Sequence, residues 1–256
     1  MSKWAVVTGA TAGIGESFTR ILASDGFNIV LVARDIERMK ERAAHLESQF
    51  KVQTVIIQAD LATDDGCAKV EKYIHENQIE VLINNAGFGI NKAFSVSDLN
   101  AEQQLLDVLV RTPMRLMHAV IPQMKERNSG SIINVSSVAG WIAGGTYSAS
   151  KSYLTVLSES LHTEMNGTGV KISALCPGFT RTEFHERGRM SMNALPEFMW
   201  LSSDRVVLQA WKENQKGRVI TIPGWQYLIL SFLSRFGPRP LVRKLGMNVR
   251  VRQRQK

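Results

Sequence analysis

The chain has 256 residues, and 44% of them are hydrophobic, which suits a soluble globular protein with an ample buried core. Its formal net charge is +8, but residues 1–213 carry 21 basic and 23 acidic side chains, whereas residues 214–256 carry 10 basic and no acidic ones. A nearly neutral body with a basic tail argues against nucleic acid as a partner, because a nucleic-acid-binding face normally runs through the folded body.

Strand and helix patterns alternate along most of the chain. The strand runs are WAVV, NIVLVA, QTVIIQAD, EVLINNAG, SIINVSS and KISALCPG, and helices are predicted after the first run and at residues 36–50, 64–77, 101–127 and 147–166. Most of the strand runs are continuously apolar, which is typical of a parallel sheet covered by helices on both faces. We therefore expect a single α/β domain over residues 1–256, built on the doubly wound parallel sheet of a Rossmann fold.

Two segments depart from this alternation. Residues 182–208 are rich in Met, Phe and Trp, and we expect them to form a small helical insert outside the sheet, on the substrate side. Residues 235–256 form a basic C-terminal tail that contains scattered apolar residues.

The run TGATAGIG, residues 8–15, follows the first strand and opens a helix. In that context Gly9 allows a tight turn, Gly13 lets the backbone approach a pyrophosphate, and Gly15 permits close packing of the helix. The N–H groups of the helix N-terminus would then face the anion. An ordinary glycine-rich turn is the alternative interpretation.

The second strand ends in LVARD, which bears on the choice of dinucleotide. An arginine there accommodates a 2′-phosphate, whereas a carboxylate binds a free ribose 2′-hydroxyl. Because Arg34 comes first and Asp35 second, NADP(H) is favoured over NAD(H), and Asp35 keeps NAD(H) open.

Tyr147 and Lys151 lie four residues apart in the run GTYSASKSYL, so they share one face of the predicted helix. A nearby ammonium favours the phenolate form of a tyrosine and makes it a usable acid or base. Alone, such a pair is equally typical of an ordinary amphipathic helix.

The pair is accompanied by TGATAGIG, NNAG at 84–87, NVSS at 134–137 and PGFTRT at 177–182, in this order. Together with YSASK at 147–151, these motifs resemble the short-chain dehydrogenase/reductase family, over at least residues 4–182. The resemblance implies a single-domain, NAD(P)-dependent oxidoreductase of ketones or alcohols.

The resemblance also implies roles for individual residues. Tyr147 would exchange a proton with the substrate oxygen, Lys151 would assist it and hold the nicotinamide ribose, and Ser137 would orient the substrate carbonyl. Ser136 is interpreted as structural. The implied cofactor-binding residues are Gly9, Thr11, Gly13, Ile14, Gly15, Arg34, Asp60, Leu61, Asn84, Ala86, Gly87, Tyr147, Lys151, Pro177, Thr180 and Thr182.

The chain departs from the family pattern at two points. The family usually has an Asn in the helix before NVSS, which bends that helix and holds a water of the proton relay, but this chain has Leu109 there. Because a leucine side chain cannot bind a water, the alternative function is an NADP(H)-binding sensor or scaffold protein with weak or no turnover. The second departure is the loop between Ser137 and Tyr147, which is shorter than usual and would bring Trp141 close to the substrate.

The substrate side is expected to be apolar and to take a bulky lipophilic ketone or alcohol, such as a fatty-acyl or steroid-like compound. Ser137, Trp141 and Tyr147 are the predicted substrate contacts. The further candidate wall residues, each as consistent with an ordinary core position, are Phe88, Ile90, Ile142, Phe184, Met190, Met192, Phe198, Met199 and Trp200.

The remaining expectations concern metals, location and assembly. Cys67 and Cys176 are interpreted as buried thiols, and neither they nor the five histidines have metal-ligand spacing, although His185 lies next to the insert. No secretory signal is recognised, so a cytoplasmic location is expected, with weak contact between the basic tail and a membrane surface as an open alternative to a solvated or subunit-contacting tail. The family resemblance implies a homodimer or homotetramer.

Overall fold

The computed structural model of the chain describes residues 3–188 and 195–244, apart from the side chain of His185. Seven parallel strands form one sheet in the order β3-β2-β1-β4-β5-β6-β7. They are β1 Trp4–Thr8, β2 Asn28–Ala33, β3 Thr54–Gln58, β4 Val81–Asn84, β5 Gly130–Val135, β6 Val170–Leu175 and β7 Ile220–Thr221. The predicted doubly wound parallel sheet is confirmed.

Helices cover both faces of the sheet. The α-helices are α1 Gly13–Ser24, α2 Ile36–Phe50, α3 Asp64–Glu76, α4 Leu99–Leu106, α5 Thr112–Glu126, α6 Thr146–Glu164, α7 Phe184–Arg187, α8 Ser203–Gln215 and α9 Trp225–Phe236. A π-helical turn, Asp107–Arg111, joins α4 to α5, and short 3₁₀ helices lie at Phe94–Val96, Val138–Trp141 and Glu197–Met199.

The apolar strand runs are explained by the two cores that they separate. Along β1, Val6 faces the core formed with α3, α5 and α6, while Ala5 and Val7 face the core formed with α1, α2 and α8. Successive side chains of a strand point to opposite faces, so in a strand covered on both sides nearly every side chain lies in one of the two cores.

The strand order reverses between β1 and β4, and this places the site. β1 leads to β2 on one side and β4 leads to β5 on the other, so the loops after β1 and β4 diverge. Ligands of open α/β sheets bind in the crevice at such a switch point, at the carboxyl ends of the strands.

Three features differ from the sequence-based expectations. The seventh strand, β7, contains only two residues and was not predicted. The helix expected over 101–127 is divided by the π-helical turn. Residues 203–208, assigned to the insert, begin α8, whose Val206 and Val207 belong to a core of the sheet, so the insert ends before Ser203.

Candidate active site

The glycine turn lies between β1 and α1 and takes a conformation that other residues would strain. Gly9 and Gly13 have φ angles of +65° and +58°. A β-carbon on Gly15 would lie 2.1 Å from the carbonyl oxygen of Gly9, so helix and turn pack more closely than any other residue would permit. The N-cap residue Ala12 has no side chain that caps α1, and the first N–H groups of the helix are left for an anion.

The end of β4 holds this turn in place. The Asn85 amide nitrogen donates to the carbonyl oxygens of Thr8, at 2.9 Å, and Gly9, at 3.1 Å. The Thr8 hydroxyl accepts from the backbone N–H groups of Asn85 and Ala86 and donates to the Ile83 carbonyl. No role was predicted for Asn85 or for the side chain of Thr8, and the available signal was the second Asn of NNAG.

Asn84 and Asn134 face each other at the ends of β4 and β5. The Asn84 amide nitrogen donates to Asn134 Oδ1 at 2.8 Å, and Asn134 donates to the Ser158 hydroxyl at 2.8 Å. Asn84 is only 3% exposed, and its own amide oxygen has no hydrogen-bond partner in the described part of the chain. The Asn84 nitrogen therefore joins β4 to β5, Asn134 in turn joins β5 to α6, and the Asn84 side chain points into the interior.

The other predicted cofactor residues lie in residues 8–15 and in the segments that follow β3, β4 and β6. The Thr182 side chain lies 2.7 Å from where a β-carbon on Gly13 would be, so the PGFTRT segment closes over the glycine turn. Thr180 is buried and donates to the Gly178 carbonyl at 3.1 Å. Asp60 accepts from the Ala62 N–H at 3.1 Å and so shapes the loop after β3. Thr11 and Leu61 are buried, Ile14 and Ala86 are half-buried, and Gly87 is exposed.

Arg34 and Asp35 follow β2, and they differ in their engagement. The Asp35 carboxylate caps α2 by accepting from the Arg38 N–H at 3.1 Å. Arg34 is exposed, and its guanidinium has no ion pair or hydrogen bond within the described residues. Arg38 binds Glu183 at 3.0 Å, and this hydrogen-bonded guanidinium lowers the pKa of the Glu183 carboxyl. Of Arg34 and Asp35, the two residues that bear on the choice of dinucleotide, Arg34 therefore has the less engaged side chain.

Lys151 lies beneath Tyr147 on α6. Its ammonium donates to the Val135 carbonyl at 2.6 Å and lies 5.7 Å from the centre of the Tyr147 ring. The side chain is buried, and loss of hydration lowers its pKa to about 8. Two of its three N–H donor positions have no partner among the residues described. A buried cation beside a tyrosine is the arrangement that the four-residue spacing predicted.

The two serines at the end of β5 have different surroundings. Ser136 is buried, and its hydroxyl donates to the Lys151 carbonyl at 2.7 Å, which ties β5 to α6. Ser137 is half-buried, accepts from the Ala139 N–H at 3.1 Å and contacts the Pro177 carbonyl at 3.4 Å. Ser137 is therefore the serine that remains accessible from the carboxyl edge of the sheet.

Leu109 lies in the π-helical turn and is 1% exposed. A methyl carbon of Leu109 lies 2.8 Å from where a β-carbon on Gly87 would be, so the leucine fills the space that this glycine leaves. The Thr112 hydroxyl donates to the Leu61 carbonyl at 2.8 Å and fixes the end of the turn. A π-helical turn is therefore present at this point although the chain has no Asn there.

Several aromatic residues lie in the segments that follow β5 and β6. The Tyr147 ring lies 5.9 Å from that of Phe184, and the Phe179 ring lies 6.3 Å from that of Trp200. Trp141 ends the 3₁₀ helix after Ser137, and the Arg235 guanidinium lies 5.5 Å from its ring centre. Among the other candidates, Phe88 packs against a core of the sheet, Phe198 is 61% exposed, and Ile90, Ile142 and Met199 are half-buried. Met190, Met192 and the His185 side chain lie outside the described part of the chain.

Both cysteines are free and buried. The Cys176 thiol lies close to Lys151, at 3.8 Å from the Thr155 hydroxyl. Burial raises the pKa of Cys176 to about 11. Within residues 3–188 and 195–244, no three His, Cys, Asp or Glu side chains come together as metal ligands.

Comparisons with known proteins agree with the observed fold and identify the family. A family model described as short chain dehydrogenase matches residues 3–193. The very-long-chain 3-oxoacyl-CoA reductase-A of Danio rerio is 29% identical over 261 aligned residues, which cover 99% of this chain and 80% of the fish protein.

Two solved structures resemble the whole fold. An alcohol dehydrogenase from Comamonas testosteroni, described as bulky-bulky ketone specific, is 32% identical with a TM-score of 0.79, covering 90% of this chain and 92% of its own. A chain from Sphingobium yanoikuyae, solved in complex with NADPH, is 30% identical with a TM-score of 0.83, covering 99% of this chain and 98% of its own.

Proposed function

Because the chain belongs to the short-chain dehydrogenase/reductase family and is an oxidoreductase that acts on CH–OH groups, we propose that it interconverts a bulky lipophilic ketone and its secondary alcohol with NADP(H). The observation that carries the proposal is the grouping of Ser137, Tyr147 and Lys151 at the carboxyl edge of the sheet, beside the glycine turn. A protein that only bound a nucleotide would have no need of all three groups.

The described residues suit a dinucleotide. At Gly9, Gly13 and Gly15 a β-carbon would lie within 2.8 Å of neighbouring protein atoms, so the tight turn requires glycine, and the N-terminus of α1 that follows it has no side-chain cap. Thr180 and Thr182 would close over the nicotinamide end, while Asp60 and Leu61 would lie beside the adenine. Bound there, the cofactor would supply or accept the hydride.

NADP(H) is proposed over NAD(H) because of the residues after β2. The exposed Arg34 guanidinium is suited to a 2′-phosphate, whereas the Asp35 carboxylate is already engaged at the N-terminus of α2. The Sphingobium yanoikuyae relative, whose structure contains NADPH, gives further support.

The protein's own groups would manage the proton. In the reduction direction the Tyr147 hydroxyl would donate a proton to the substrate oxygen, while the Ser137 hydroxyl would donate a hydrogen bond that holds the same oxygen. Lys151 would stabilise the resulting phenolate, and its remaining N–H donors would bind the nicotinamide ribose. Burial keeps the Lys151 charge unscreened, which strengthens its effect on the tyrosine.

The aromatic surroundings support a large apolar substrate. Phe184 lies beside Tyr147, and Trp141 and Trp200 lie in the segments after β5 and β6; if these rings line the substrate site, a polar sugar would match them poorly. The names of two relatives, a bulky-ketone alcohol dehydrogenase and a very-long-chain 3-oxoacyl-CoA reductase, also favour a large apolar substrate. We propose a fatty-acyl or steroid-like ketone.

The second candidate function is an NADP(H)-binding sensor or scaffold protein with weak turnover. Leu109 is the observation that favours it, because the family's proton relay uses an Asn there. The π-helical turn at Asp107–Arg111 weighs against it, since this turn forms without the Asn.

Assembly and location are also proposals. Exposed apolar residues on α4, α5 and α6 suit a homodimer or homotetramer; they include Leu99, Leu106, Met114 and Val156. We place the protein in the cytoplasm, without a nucleic-acid partner and with weak membrane-surface contact through residues 235–256. In the described residues no helix is both long and apolar enough to cross a bilayer.

The test is NADPH and NADH oxidation against a panel of aliphatic, aromatic and steroid-like ketones, for wild type and Tyr147→Phe. We expect turnover of a lipophilic ketone with NADPH and a loss of at least a hundredfold in kcat for the phenylalanine variant, which keeps the ring but removes the acid. Equal NADPH affinity of the two proteins is the control for an intact site. If NADPH binds and neither protein consumes it with any ketone, the sensor or scaffold function is favoured instead.

A further inference from the structure

Helix α9 buries two uncharged polar residues and exposes most of its large apolar ones. Gln226 and Ser231 are 8% and 4% exposed. By contrast, seven large apolar side chains of the helix are 43–71% exposed, namely Trp225, Leu228, Ile229, Leu230, Phe232, Leu233 and Phe236. A helix that covers a core in water has the opposite pattern, so this apolar face calls for an apolar partner.

The inverted orientation is fixed by specific contacts. The Tyr227 ring occupies the space above Gly178, where a β-carbon would lie 2.0 Å from ring atoms. Its hydroxyl donates to the Met199 carbonyl at 2.6 Å and accepts from the Phe179 N–H at 3.0 Å, and Gln226 donates to the Phe198 carbonyl at 3.0 Å. Rotating the apolar face inward would break all of these bonds, so the face is held outward.

Charge indicates which apolar partner fits. From Asn214 to the end, the sequence has ten basic residues and no Asp or Glu. Within the described part of this stretch, Arg235, Arg239, Arg243 and Lys244 are exposed on α9 and directly after it. A second copy of the chain would present the same positive charge to this face and be repelled, whereas anionic lipid head groups would attract it.

We propose that α9 and the basic residues after it bind the surface of an anionic membrane. The helix lies in the interface and does not cross it, because twelve residues span about 18 Å, far short of the roughly 30 Å hydrocarbon core. The exposed Trp and Phe rings enter the head-group boundary, and the arginines bind lipid phosphates.

The bound face would lie beside the entrance to the active site. Arg235 of α9 stacks on Trp141, a predicted substrate contact, and Tyr227 contacts the PGFTRT segment. If the proposed function holds, a lipophilic ketone dissolved in the bilayer would thus reach the site without crossing water. This route for the substrate rests on the proposed function, whereas the membrane-binding surface itself does not.

The test is flotation of the full chain with vesicles of phosphatidylcholine, with and without 30% phosphatidylserine. We expect wild type to float with the anionic vesicles, and binding to weaken in high salt. Ile229→Gln combined with Phe232→Gln should weaken the partitioning at least tenfold. Arg239→Gln, Arg243→Gln and Lys244→Gln together should weaken it about a hundredfold at low salt.

Matched controls separate this surface from general stickiness. Phe94 and Val96 are each 70% exposed and lie away from α9 in the chain, in a 3₁₀ helix. Their replacement by Gln should leave flotation unchanged. NADPH affinity measured for each variant checks that the fold is intact, and no turnover is needed, so a failed reaction and a failed membrane test remain distinguishable. Wild type that does not float at low salt would overturn the proposal. So would α9 variants that float as wild type does, or a dimer that only the α9 variants lose.

Discussion

Replacing Lys151 by Met tests whether burial of the ammonium has the cost that its environment implies. Loss of hydration lowers the pKa of Lys151 from 10.5 to about 8. Below pH 8 the folded protein carries a buried charge that the unfolded chain carries in water, and the 2.5-unit difference corresponds to about 3 kcal/mol. Between pH 8 and 10.5 the unfolded chain binds more protons, so this cost declines as the pH rises.

The sign of the expected effect follows from these two pKa values. Because the folded-state value is the lower one, the Lys151 contribution to the free energy of unfolding is least favourable at acidic and neutral pH. Between pH 7 and 9 it should improve by about 1 kcal/mol, the value that linkage gives for pKa values of about 8 and 10.5. The methionine variant lacks this titration.

Urea unfolding of both proteins at pH 7 and pH 9 measures the difference. Wild type should gain about 1 kcal/mol relative to Lys151→Met over this range, and the variant should have lost turnover at both pH values. Lys171→Met is the matched control, since the exposed Lys171 ammonium also donates to a backbone carbonyl, that of Gln215, at 2.7 Å. If wild type and Lys151→Met show the same pH dependence, or if wild type loses stability relative to the variant, the burial argument is refuted.

Three further substitutions test other parts of the site. Gly178→Ala should lower stability by about 3 kcal/mol in urea unfolding, because the new β-carbon would overlap the Tyr227 ring; an unchanged midpoint would contradict that packing. Leu109→Asn should lower stability by about 2 kcal/mol by burying an amide, without a tenfold gain in kcat; such a gain would favour the sensor or scaffold function. Arg34→Ser should raise the KM for NADPH about tenfold or more and leave that for NADH unchanged, and an equal effect on both would count against the 2′-phosphate contact.

The fold was predictable because its signals are local and repeated. Apolar strand runs, helical spacing and a glycine turn after the first strand each reflect short stretches of sequence, and the structure confirms the parallel sheet that they predict. The two-residue strand β7 gave no such signal, since it is defined only by its pairing with β6. The π-helical turn was missed for a related reason, because Leu109 lacks the polar side chain that marks the bend in the family.

Within the site, the sequence predicted candidate functional residues but could not indicate their partners. Lys151 and Tyr147 share a face because four residues make about one helical turn, which is a property of the sequence alone. The bond from Asn85 to the glycine turn joins positions 76 residues apart, and the packing of Tyr227 above Gly178 joins positions 49 apart. Such contacts arise from the folded topology, so no local sequence pattern predicts them.

The clamp that Asn85 and Thr8 place on the glycine turn has a consequence for binding kinetics. Glycine-rich loops lose much conformational entropy when a ligand orders them, and that loss weakens affinity. Here the hydrogen bonds from Asn85, directly after β4, already order the loop. A dinucleotide would therefore bind to a preorganised site. Association should then be governed by diffusion and charge, and the preference for one dinucleotide over another should appear mainly in how slowly each one leaves.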